Sequence, residues 1–285
     1  MKIGIVGKGF VGSAVKFGFS PNTGVDYDVK IYDKDPLKST HTLKDTVCES
    51  DIIFISVPTP ANHEGKISLK VLDDCLKEIN DCLSKESEKN IFLIRSTVIP
   101  GTCDSFSKKY PRLRIVFNPE FLTERSANFD FINQSRIILG GKAEDTDKVS
   151  KLYKARFGNS IPIIETDYRS SELIKYMCNN YFATKVSFLN EMKLISDKIG
   201  ANWEDCMDGF IRDGRIGHSH MQVPGPDGKP GFGGSCFPKD IQAMISFSED
   251  LGIQTNVLKG AWNTNLKLRP EKDWEQLKGR AIEDE

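Results

Sequence analysis

Short apolar runs alternate with longer amphipathic stretches along the first half of this chain. The runs predicted as strands are residues 2–6, 28–32, 51–56, 90–94, 113–117 and 135–140. Helical patterns lie between several of them, most clearly over residues 69–83. This alternation predicts an α/β fold with a Rossmann-type, doubly wound parallel sheet.

The second half of the chain has a different pattern. Residues 167–199 contain almost no helix breaker and carry apolar residues at helical spacing, which predicts one long helix. Shorter helices are predicted near residues 201–211, 240–251 and 255–268. We therefore expect a Rossmann-like domain over residues 1–166 and an all-α domain over residues 167–285. A long helix of this kind often links two domains or forms a dimer interface.

Composition excludes several classes of protein. The 285 residues hold 39 Lys plus Arg against 40 Asp plus Glu, so no basic surface points to nucleic acid. No apolar run approaches about 18 residues, so no membrane span is expected. The first strand begins at once, which leaves no room for a signal peptide. Seven scattered cysteines indicate reduced thiols in the cytoplasm, and with four histidines they give no metal signature.

A glycine-rich turn follows the first predicted strand. Gly7-Lys8-Gly9-Phe10-Val11-Gly12 has the GxGxxG spacing and opens a predicted helix, and Asp33 ends the second strand. The glycines allow a tight turn, the helix N terminus receives a pyrophosphate, and Asp33 can accept hydrogen bonds from a ribose diol. This context predicts NAD rather than NADP, although Lys34 weakens the preference slightly. A glycine-rich turn without a ligand is the alternative.

Three further loops that follow predicted strands are polar and rich in turn residues. They are residues 57–60, 96–102 and 118–124. Ligands of doubly wound sheets bind beyond the carboxyl ends of the strands. Each loop alone is explained as an ordinary connection, but three at one edge predict a binding rim.

A thiol stands in the most specific local pattern of the chain. In Gly231-Phe232-Gly233-Gly234-Ser235-Cys236-Phe237-Pro238-Lys239-Asp240, the cysteine precedes a proline that suits the first turn of a helix. Lys239 and Asp240 then lie over the same face as Cys236. A cation and a helix N terminus both favour thiolate, so the pattern predicts a nucleophilic cysteine. The alternative is a small buried cysteine in a turn.

A polar pair lies on the predicted long helix. Lys175 and Asn179 are four residues apart and therefore share a face. A solvated pair is the usual explanation of such spacing, so this spacing alone does not indicate a function for Lys175 and Asn179.

Together these segments resemble the nucleotide-sugar 6-dehydrogenases, the UDP-glucose/GDP-mannose dehydrogenase family. The matching pieces occur in the family's order: GKGFVG (7–12), SVPTP (56–60), STVIPGT (96–102), NPEFLTERSANFDF (118–131), RIILGG (136–141), SELIKYMCNNYFATKVSFLNE (171–191), RIG (215–217) and GFGGSCFPKD (231–240). They span nearly the whole chain, and the last is the most specific. NPEFL with GGSCFPKD is more similar to the UDP-glucose branch than to the GDP-mannose branch, so UDP-glucose is the expected substrate.

The resemblance implies oxidation of a primary alcohol to a carboxylate in two hydride transfers to NAD, with an enzyme-bound thioester between them. Cys236 would attack the C6 aldehyde as nucleophile. Lys175 and Asn179 would stabilise the developing oxyanion, one by charge and one by a hydrogen bond. Asp240, with a water, would serve as general base.

The resemblance also implies the binding residues. Glu120 and Thr97 would position or activate the water that hydrolyses the thioester, and Arg215 would reach the sugar in the neighbouring subunit of a homodimer. The expected cofactor contacts are Gly7, Gly9, Phe10, Val11, Gly12, Asp33, Lys34, Pro58, Thr59, Thr97, Glu124 and Lys239. The expected substrate contacts are Glu120, Phe121, Leu122, Glu124, Lys175, Asn179, Arg215, Phe232 and Gly233.

The chain departs from the family pattern in three places. Arg125 stands where relatives usually have glycine, and residues 224–230 lengthen the substrate-side loop. Family members usually continue into a second Rossmann-like domain that grips uridine diphosphate, and these 285 residues hold no counterpart of it. We therefore expect nucleotide binding to depend on the core domain or on a separate partner.

Two other functions stay open at this point. A β-hydroxyacid or 6-phosphogluconate-type dehydrogenase has a similar length, domain order and Lys-x-x-x-Asn pair, but it needs one hydride transfer and no thiol. Cys236 and Glu120 argue against that alternative. A non-catalytic module that binds NAD or a sugar would keep the same fold, and the complete set of reactive residues argues against it.

Overall fold

The computed structural model describes residues 1–62 and 64–283. The chain forms two units, the first built from Met1–Thr59 and Leu69–Lys175 and the second from Pro60–Ser68 and Tyr176–Glu285. The chain crosses between the units after Thr59, after Ser68 and again inside a long helix, between Lys175 and Tyr176. The domain boundary expected between residues 166 and 167 stays a prediction.

A seven-stranded sheet organises the described part of the first unit. Its strands are β1 (Ile3–Val6), β2 (Val29–Tyr32), β3 (Ile52–Ile55), β4 (Ile91–Ile94), β5 (Arg114–Phe117), β6 (Ile137–Gly141) and β7 (Ile163–Thr166), in the spatial order β2-β1-β3-β4-β5-β6-β7. β1 to β5 are parallel, with Ile5 of β1 opposite Ile31 of β2 and Phe54 of β3. β1, β3 and β4 are buried along their whole length, as their apolar runs predict.

The predicted α/β class and doubly wound arrangement are confirmed, with one difference at the edge of the sheet. β6 pairs with β5 in the antiparallel direction, and β7 is parallel to β6. The pattern of the sequence does not predict β7, because Ile164 and Glu165 are exposed in this edge strand and leave no buried run.

Helices cover both faces of the sheet. They are α1 (Phe10–Gly18), α2 (Leu43–Cys48), α3 (Lys70–Cys82), α4 (Thr102–Lys109), α5 (Ala127–Ile132), α6 (Ala143–Phe157) and the start of α7 (Tyr168–Ile199). One apolar core packs Leu76 of α3 and Phe106 of α4 against the sheet. The other core packs Phe19, Phe131 and Tyr153 against the opposite face. The sheet is therefore a rigid support for the loops at its edges.

The first turns of α7 pack closely on the sheet at Gly140. A Cβ added to Gly140 would lie 1.8 Å from Ser171 Oγ and 2.9 Å from the Asp167 carbonyl oxygen. Tyr168 Oη donates a hydrogen bond to the Ile115 carbonyl oxygen at 2.6 Å. The absence of a side chain at Gly140 thus permits the approach of α7 to β6.

The second unit is helical in its described residues, apart from isolated β-bridges. It contains the remainder of α7, then α8 (Trp203–Ile211), α9 (Phe237–Asp250) and α10 (Asn256–Leu268). Its core packs Ala183 of α7, Phe232, Ile241 of α9 and Ala261 of α10. The helices predicted from the sequence are confirmed here to within a few residues. None of the helices formed by the described residues is both long enough and apolar enough to span a membrane.

The close approach at Gly140 predicts the effect of a small substitution. We expect Gly140→Ala to lower the free energy of unfolding by about 1–3 kcal/mol, because the added methyl group overpacks the contact with α7. Gly209→Ala is the control, since a Cβ at Gly209 in α8 meets no atom within 4 Å, and alanine there raises helix propensity by up to about 1 kcal/mol. Urea unfolding followed by circular dichroism measures both variants. Equal effects of the two substitutions would contradict this account of the packing.

Candidate functional site

Four loops of the first unit leave the carboxyl ends of parallel strands. β1, β3, β4 and β5 point in the same direction, so the loops that follow them lie at one edge of the sheet. We call this edge the rim, and it comprises residues 7–9, 56–59, 95–101 and 118–123. The sequence expectation that these loops share one edge is confirmed.

The glycine-rich turn forms an open cradle at the start of α1. Gly7 has φ +88°, which favours glycine, and a Cβ on Gly12 would lie 2.0 Å from the Gly7 carbonyl oxygen. A Cβ on Gly9 meets nothing within 4 Å, so the space beside Gly9 is open. Phe10 and Val11 form the first turn of the helix. The cradle therefore fits a pyrophosphate at a helix N terminus.

Asp33 lies beside this cradle at the end of β2. Its Oδ2 accepts a hydrogen bond from the Lys8 backbone N–H at 2.6 Å, and its Oδ1 accepts one from the Asp35 N–H at 2.9 Å. A carboxylate keeps further lone pairs for two ribose hydroxyls, and its charge repels a 2′-phosphate. Lys34 is exposed. The cradle and Asp33 together fit NAD.

A buried ion pair joins the rim to α7. Lys175 Nζ donates hydrogen bonds to the Glu120 carbonyl oxygen and to Glu120 Oε2, the latter at 3.3 Å, and both residues are at least 94% buried. Glu120 Oε1 accepts the Leu122 N–H, and the ammonium lies 5.4 Å from the centre of the Phe121 ring. Four predicted site residues thus form one cluster. Glu124 is exposed and begins a separate 3₁₀ turn.

Thr97 is fixed through its backbone. Thr59 Oγ1 donates to the Thr97 carbonyl oxygen at 2.8 Å, and Ser96 Oγ donates to the Val57 carbonyl oxygen at 2.7 Å. Two neighbouring rim loops are therefore bonded to each other. Pro58, between these contacts, is exposed.

A second cluster of predicted residues lies within the helical unit. Asn179 Nδ2 donates to Asp240 Oδ2 at 2.5 Å, and Lys239 Nζ donates to Asp240 Oδ1 at 2.5 Å. All three side chains are buried, and Asp240 is 1% exposed. The Lys239 ammonium is thus engaged with its neighbour, so its expected contact with the cofactor stays a prediction.

Cys236 occupies the N-cap of α9 and is half-buried. Pro238 stands in the first turn, and the Asp240 N–H donates to the Cys236 carbonyl oxygen at 2.8 Å. The partial positive charge at a helix N terminus favours a thiolate. By contrast, burial raises the pKa of Cys75 to about 12 and the pKa of Cys103 well above its ordinary value.

The segment before Cys236 is clamped by α10. The Phe232 N–H donates to Asn265 Oδ1 at 2.7 Å, and Asn265 Nδ2 donates to the Phe232 carbonyl oxygen at 3.0 Å. A Cβ on Gly233 would lie 2.0 Å from Arg269 Nη1. The Phe232 ring is buried in the core of this unit, so substrate contacts by Phe232 and Gly233 stay predictions.

Arg215 stands on an exposed loop of the helical unit. Its Nε donates to Asp213 Oδ1 at 2.9 Å, within the same loop. Lys185 Nζ donates to the Ser219 carbonyl oxygen at 2.8 Å and ties the loop to α7. The role expected for Arg215 in a neighbouring subunit stays a prediction.

The sequence patterns did not identify Arg95, which is buried at the base of the rim. Arg95 Nη1 donates to Asn118 Oδ1 and to Tyr153 Oη, the latter at 3.2 Å. Asn118 Nδ2 in turn donates to the Ile138 carbonyl oxygen at 2.9 Å. Arg95 thereby joins the bases of the loops that carry Thr97 and Glu120. The signal in the sequence was a charged residue, Arg95, directly after the apolar run of β4.

Glu172 of α7 is the second residue that was missed. It is 0% exposed and accepts hydrogen bonds from the Gly101 N–H at 2.6 Å and the Cys103 N–H at 2.8 Å. Burial raises the pKa of Glu172 from its ordinary value of 4.5 to about 7. The signals in the sequence were its position three residues before Lys175 and its place in the family-like segment 171–191.

The described residues provide no group of three or more His, Cys, Asp or Glu side chains that could hold a metal ion. All seven cysteines lie in the described part of the chain, and none of them forms a disulfide.

Two family profiles match the chain. Residues 26–156 match the NAD binding domain of the UDP-glucose/GDP-mannose dehydrogenase family, and residues 169–267 match the central domain of that family. The first match begins after the glycine-rich turn, so the assignment of residues 7–12 rests on their geometry and spacing.

Curated relatives agree with the profiles. The chain is 34% identical over 250 residues to the UDP-glucose 6-dehydrogenase of Rickettsia typhi, covering 86% of this chain and 56% of the relative. It is 34% identical over 227 residues to a UDP-glucose 6-dehydrogenase of Bacillus subtilis, covering 77% and 49%. The chain therefore spans about half the length of the curated relatives that it matches.

Solved structures show the same fold. A UDP-glucose dehydrogenase from Pyrobaculum islandicum superposes with a TM-score of 0.80 at 26% identity, covering 93% of this chain and 68% of the other. A 3-hydroxyisobutyrate dehydrogenase from Mycobacterium tuberculosis gives a TM-score of 0.74 at 16% identity, covering 95% and 94%. The latter likeness shows the fold alone. With both family profiles matched in order, the chain belongs to the UDP-glucose/GDP-mannose dehydrogenase family.

Proposed function

We propose that this chain catalyses the NAD-dependent oxidation of a nucleotide sugar, UDP-glucose, at C6 to the uronic acid. The observation that carries the proposal is Cys236 at the N-cap of α9, one turn before a buried Asp240 carboxylate that Lys239 and Asn179 hold. Relatives named UDP-glucose 6-dehydrogenase support this substrate. A cytoplasmic location, expected from the scattered cysteines, belongs to the same proposal.

Cys236 forms the covalent bond in this reaction. Its thiolate adds to the aldehyde produced by the first oxidation and gives a thiohemiacetal, which loses hydride to become a thioester. Water then cleaves the thioester, which releases the carboxylate and returns the thiol. NAD, when bound, accepts one hydride in each of the two oxidations.

The helices supply the groups that stabilise charge. Lys175 and Asn179, one turn apart in α7, stabilise the oxyanion that develops on the substrate oxygen. Asp240 acts as general base with a water. The hydrogen bonds from Asn179 and Lys239 fix the orientation of the Asp240 carboxylate. A fixed orientation suits a general base, which must accept a proton from one direction.

Glu120 and Thr97 position the water that hydrolyses the thioester. Lys175 and the Leu122 N–H hold the Glu120 carboxylate in one orientation. The hydrogen bond from Thr59 fixes the backbone of Thr97. Such preorganisation lowers the entropy lost when the water attacks.

The partner that we propose is a second copy of this chain. α7 exposes an apolar row formed by Met177, Tyr181, Phe188, Ile195 and Ile199, each between 46% and 73% exposed. Their spacing of 4, 7, 7 and 4 residues keeps them on one face of the helix. A long exposed apolar face suits a symmetric helix pair, and Arg215 would then contact the substrate of the partner copy.

The proposed reaction predicts how many NADH molecules form for each substrate molecule. We expect two NADH for each UDP-glucose consumed, measured by absorbance against chromatographic loss of substrate. Cys236→Ser is expected to lower kcat by about 10³-fold or more, because the covalent step is lost. Cys206→Ser, at an exposed cysteine of α8, is the control and should leave kcat unchanged.

One NADH with a hydroxyacid would instead favour the single-transfer alternative, and NAD binding without turnover of any nucleotide sugar would favour a binding module.

The cofactor site predicts a selective loss of affinity. Asp33→Asn should raise the Kd for NAD by about 10- to 100-fold, since hydrogen bonds to a charged group contribute about 1.5–3 kcal/mol. Asp35→Asn, in the same loop, should leave that Kd unchanged. Isothermal titration calorimetry with NAD measures both variants, and an unchanged Kd for Asp33→Asn would remove Asp33 from the cofactor site.

The apolar face of α7 predicts the oligomeric state. The 32.0 kDa chain should show twice that mass in size-exclusion chromatography with light scattering. Tyr181→Asp should convert the dimer to a monomer, because an unpaired carboxylate is costly to bury in the interface. Val257→Asp is the control, since Val257 is also 69% exposed but lies on α10. A monomeric wild-type protein would contradict the dimer.

A further inference from the structure

We propose that Glu172 is a positioning residue for the reaction. Its buried carboxylate holds the β4–α4 loop, which carries Thr97, at a fixed place relative to α7 and Lys175. This inference rests on the proposed function, because it assigns Glu172 to the hydrolysis of the thioester.

Glu172 anchors the far end of that loop. α4 begins after Gly101, whose lack of a side chain leaves the helix without a local cap. The Glu172 carboxylate fills this role from α7, accepting the Gly101 N–H at 2.6 Å and the Cys103 N–H at 2.8 Å. A carboxylate at a helix N terminus satisfies amide groups that would otherwise be buried without partners.

The near end of the loop is anchored separately. Thr59 bonds the Thr97 carbonyl oxygen at 2.8 Å, and Ser96 bonds the Val57 carbonyl oxygen at 2.7 Å. Thr97 therefore stands between an anchor on the neighbouring rim loop and an anchor on α7. Loss of the Glu172 anchor would remove the two hydrogen bonds that tie Gly101 and Cys103 to α7.

One helix thus holds both loops that handle the hydrolytic water. Glu172 and Lys175 are three residues apart and lie over the same face of α7. Lys175 holds Glu120, and Glu172 holds the loop of Thr97. A rigid helix between the two anchors keeps Thr97 and Glu120 in register, and a misplacement of about 1 Å in such an arrangement can slow a reaction about 100-fold.

The surroundings of Glu172 make the anchor sensitive to pH. The ionisable groups of α4 that act on Glu172 are Cys103 and Asp104, and Asp104 in turn pairs with Arg169 of α7 at 2.8 Å. Burial raises the pKa of Glu172 to about 7. Above that pH the ionised carboxylate accepts both amide hydrogen bonds, and below it one oxygen becomes a hydroxyl and the anchor weakens.

The effect on stability has the opposite sign. The folded pKa of Glu172 lies above its ordinary value of 4.5, so the folded state binds the proton more tightly than the unfolded chain does. The contribution of Glu172 to stability is therefore greatest at low pH and is lost as the pH rises from about 4.5 through 7. Ionisation of Glu172 therefore strengthens its hydrogen bonds to the loop but lowers the free energy of unfolding.

Glu172→Gln in the full chain tests the proposal. The variant keeps the shape of the side chain but replaces one acceptor oxygen with an NH₂ group. Hydrogen exchange should show faster exchange of the Gly101 and Cys103 amides. Rapid mixing with NAD and UDP-glucose should give a burst of two NADH for each active site, followed by a steady state that is about 10- to 100-fold slower than in the wild type.

Two pH measurements separate positioning from a general structural role. The fall in kcat as the pH drops through about 7 should be absent in Glu172→Gln. The urea midpoint of the variant, compared with that of the wild type, should rise as the pH increases from 5.5 to 8. Asp145→Asn is the matched control, since Asp145 is also buried and its ion pair with Arg114 at the amino end of β5 is far from the rim. It should lower stability without producing a burst.

The outcomes are distinguishable. Unchanged exchange at Gly101 and Cys103, or an equal slowing of all steps without a burst, would overturn the proposal. If the wild type turned over no nucleotide sugar, the proposed function would fail first. Hydrogen exchange of residues 97–103 and the pH dependence of the urea midpoint would then decide whether Glu172 holds the loop.

Discussion

The buried ion pair between Lys175 and Glu120 is the constraint on which the arrangement of the first unit depends. Both groups are removed from water, and loss of one partner of such a pair costs about 3–5 kcal/mol because the other charge is left uncompensated. α7 must therefore reach the rim at one position and in one rotation. The close packing of Ser171 on Gly140 and the hydrogen bonds of Glu172 meet the same requirement from the preceding turn.

Much of this architecture can be predicted from local sequence patterns. Uninterrupted apolar runs predict β1, β3 and β4, and the breaker-free stretch predicts α7, because burial on two faces and helical periodicity leave local signals. The glycine turn with Asp33, and Cys236 with Asp240, are also local. The reversal of β6 and β7 is not local, since the direction of a strand depends on the path of its connection.

The remaining features of the site depend on contacts between distant segments. Lys175 and Glu120 are 55 residues apart, and Glu172 and Cys103 are 69 residues apart. The sequence identifies Lys175 and Glu120 only through resemblance to a family, and it offers no pattern that pairs Glu172 or Arg95 with a loop. Burial and hydrogen bonds select these residues, so a structure was needed to find them.

In the proposed mechanism, Cys236 carries the substrate as a thioester. The direct measurement is peptide mass spectrometry after rapid acid quenching of the protein with NAD and UDP-glucose. We expect an adduct on the peptide containing Cys236, equal in mass to UDP-glucose less four hydrogens, which disappears as the uronic acid forms. Formation of the uronic acid without an adduct, or an adduct on another cysteine, would contradict the thioester mechanism.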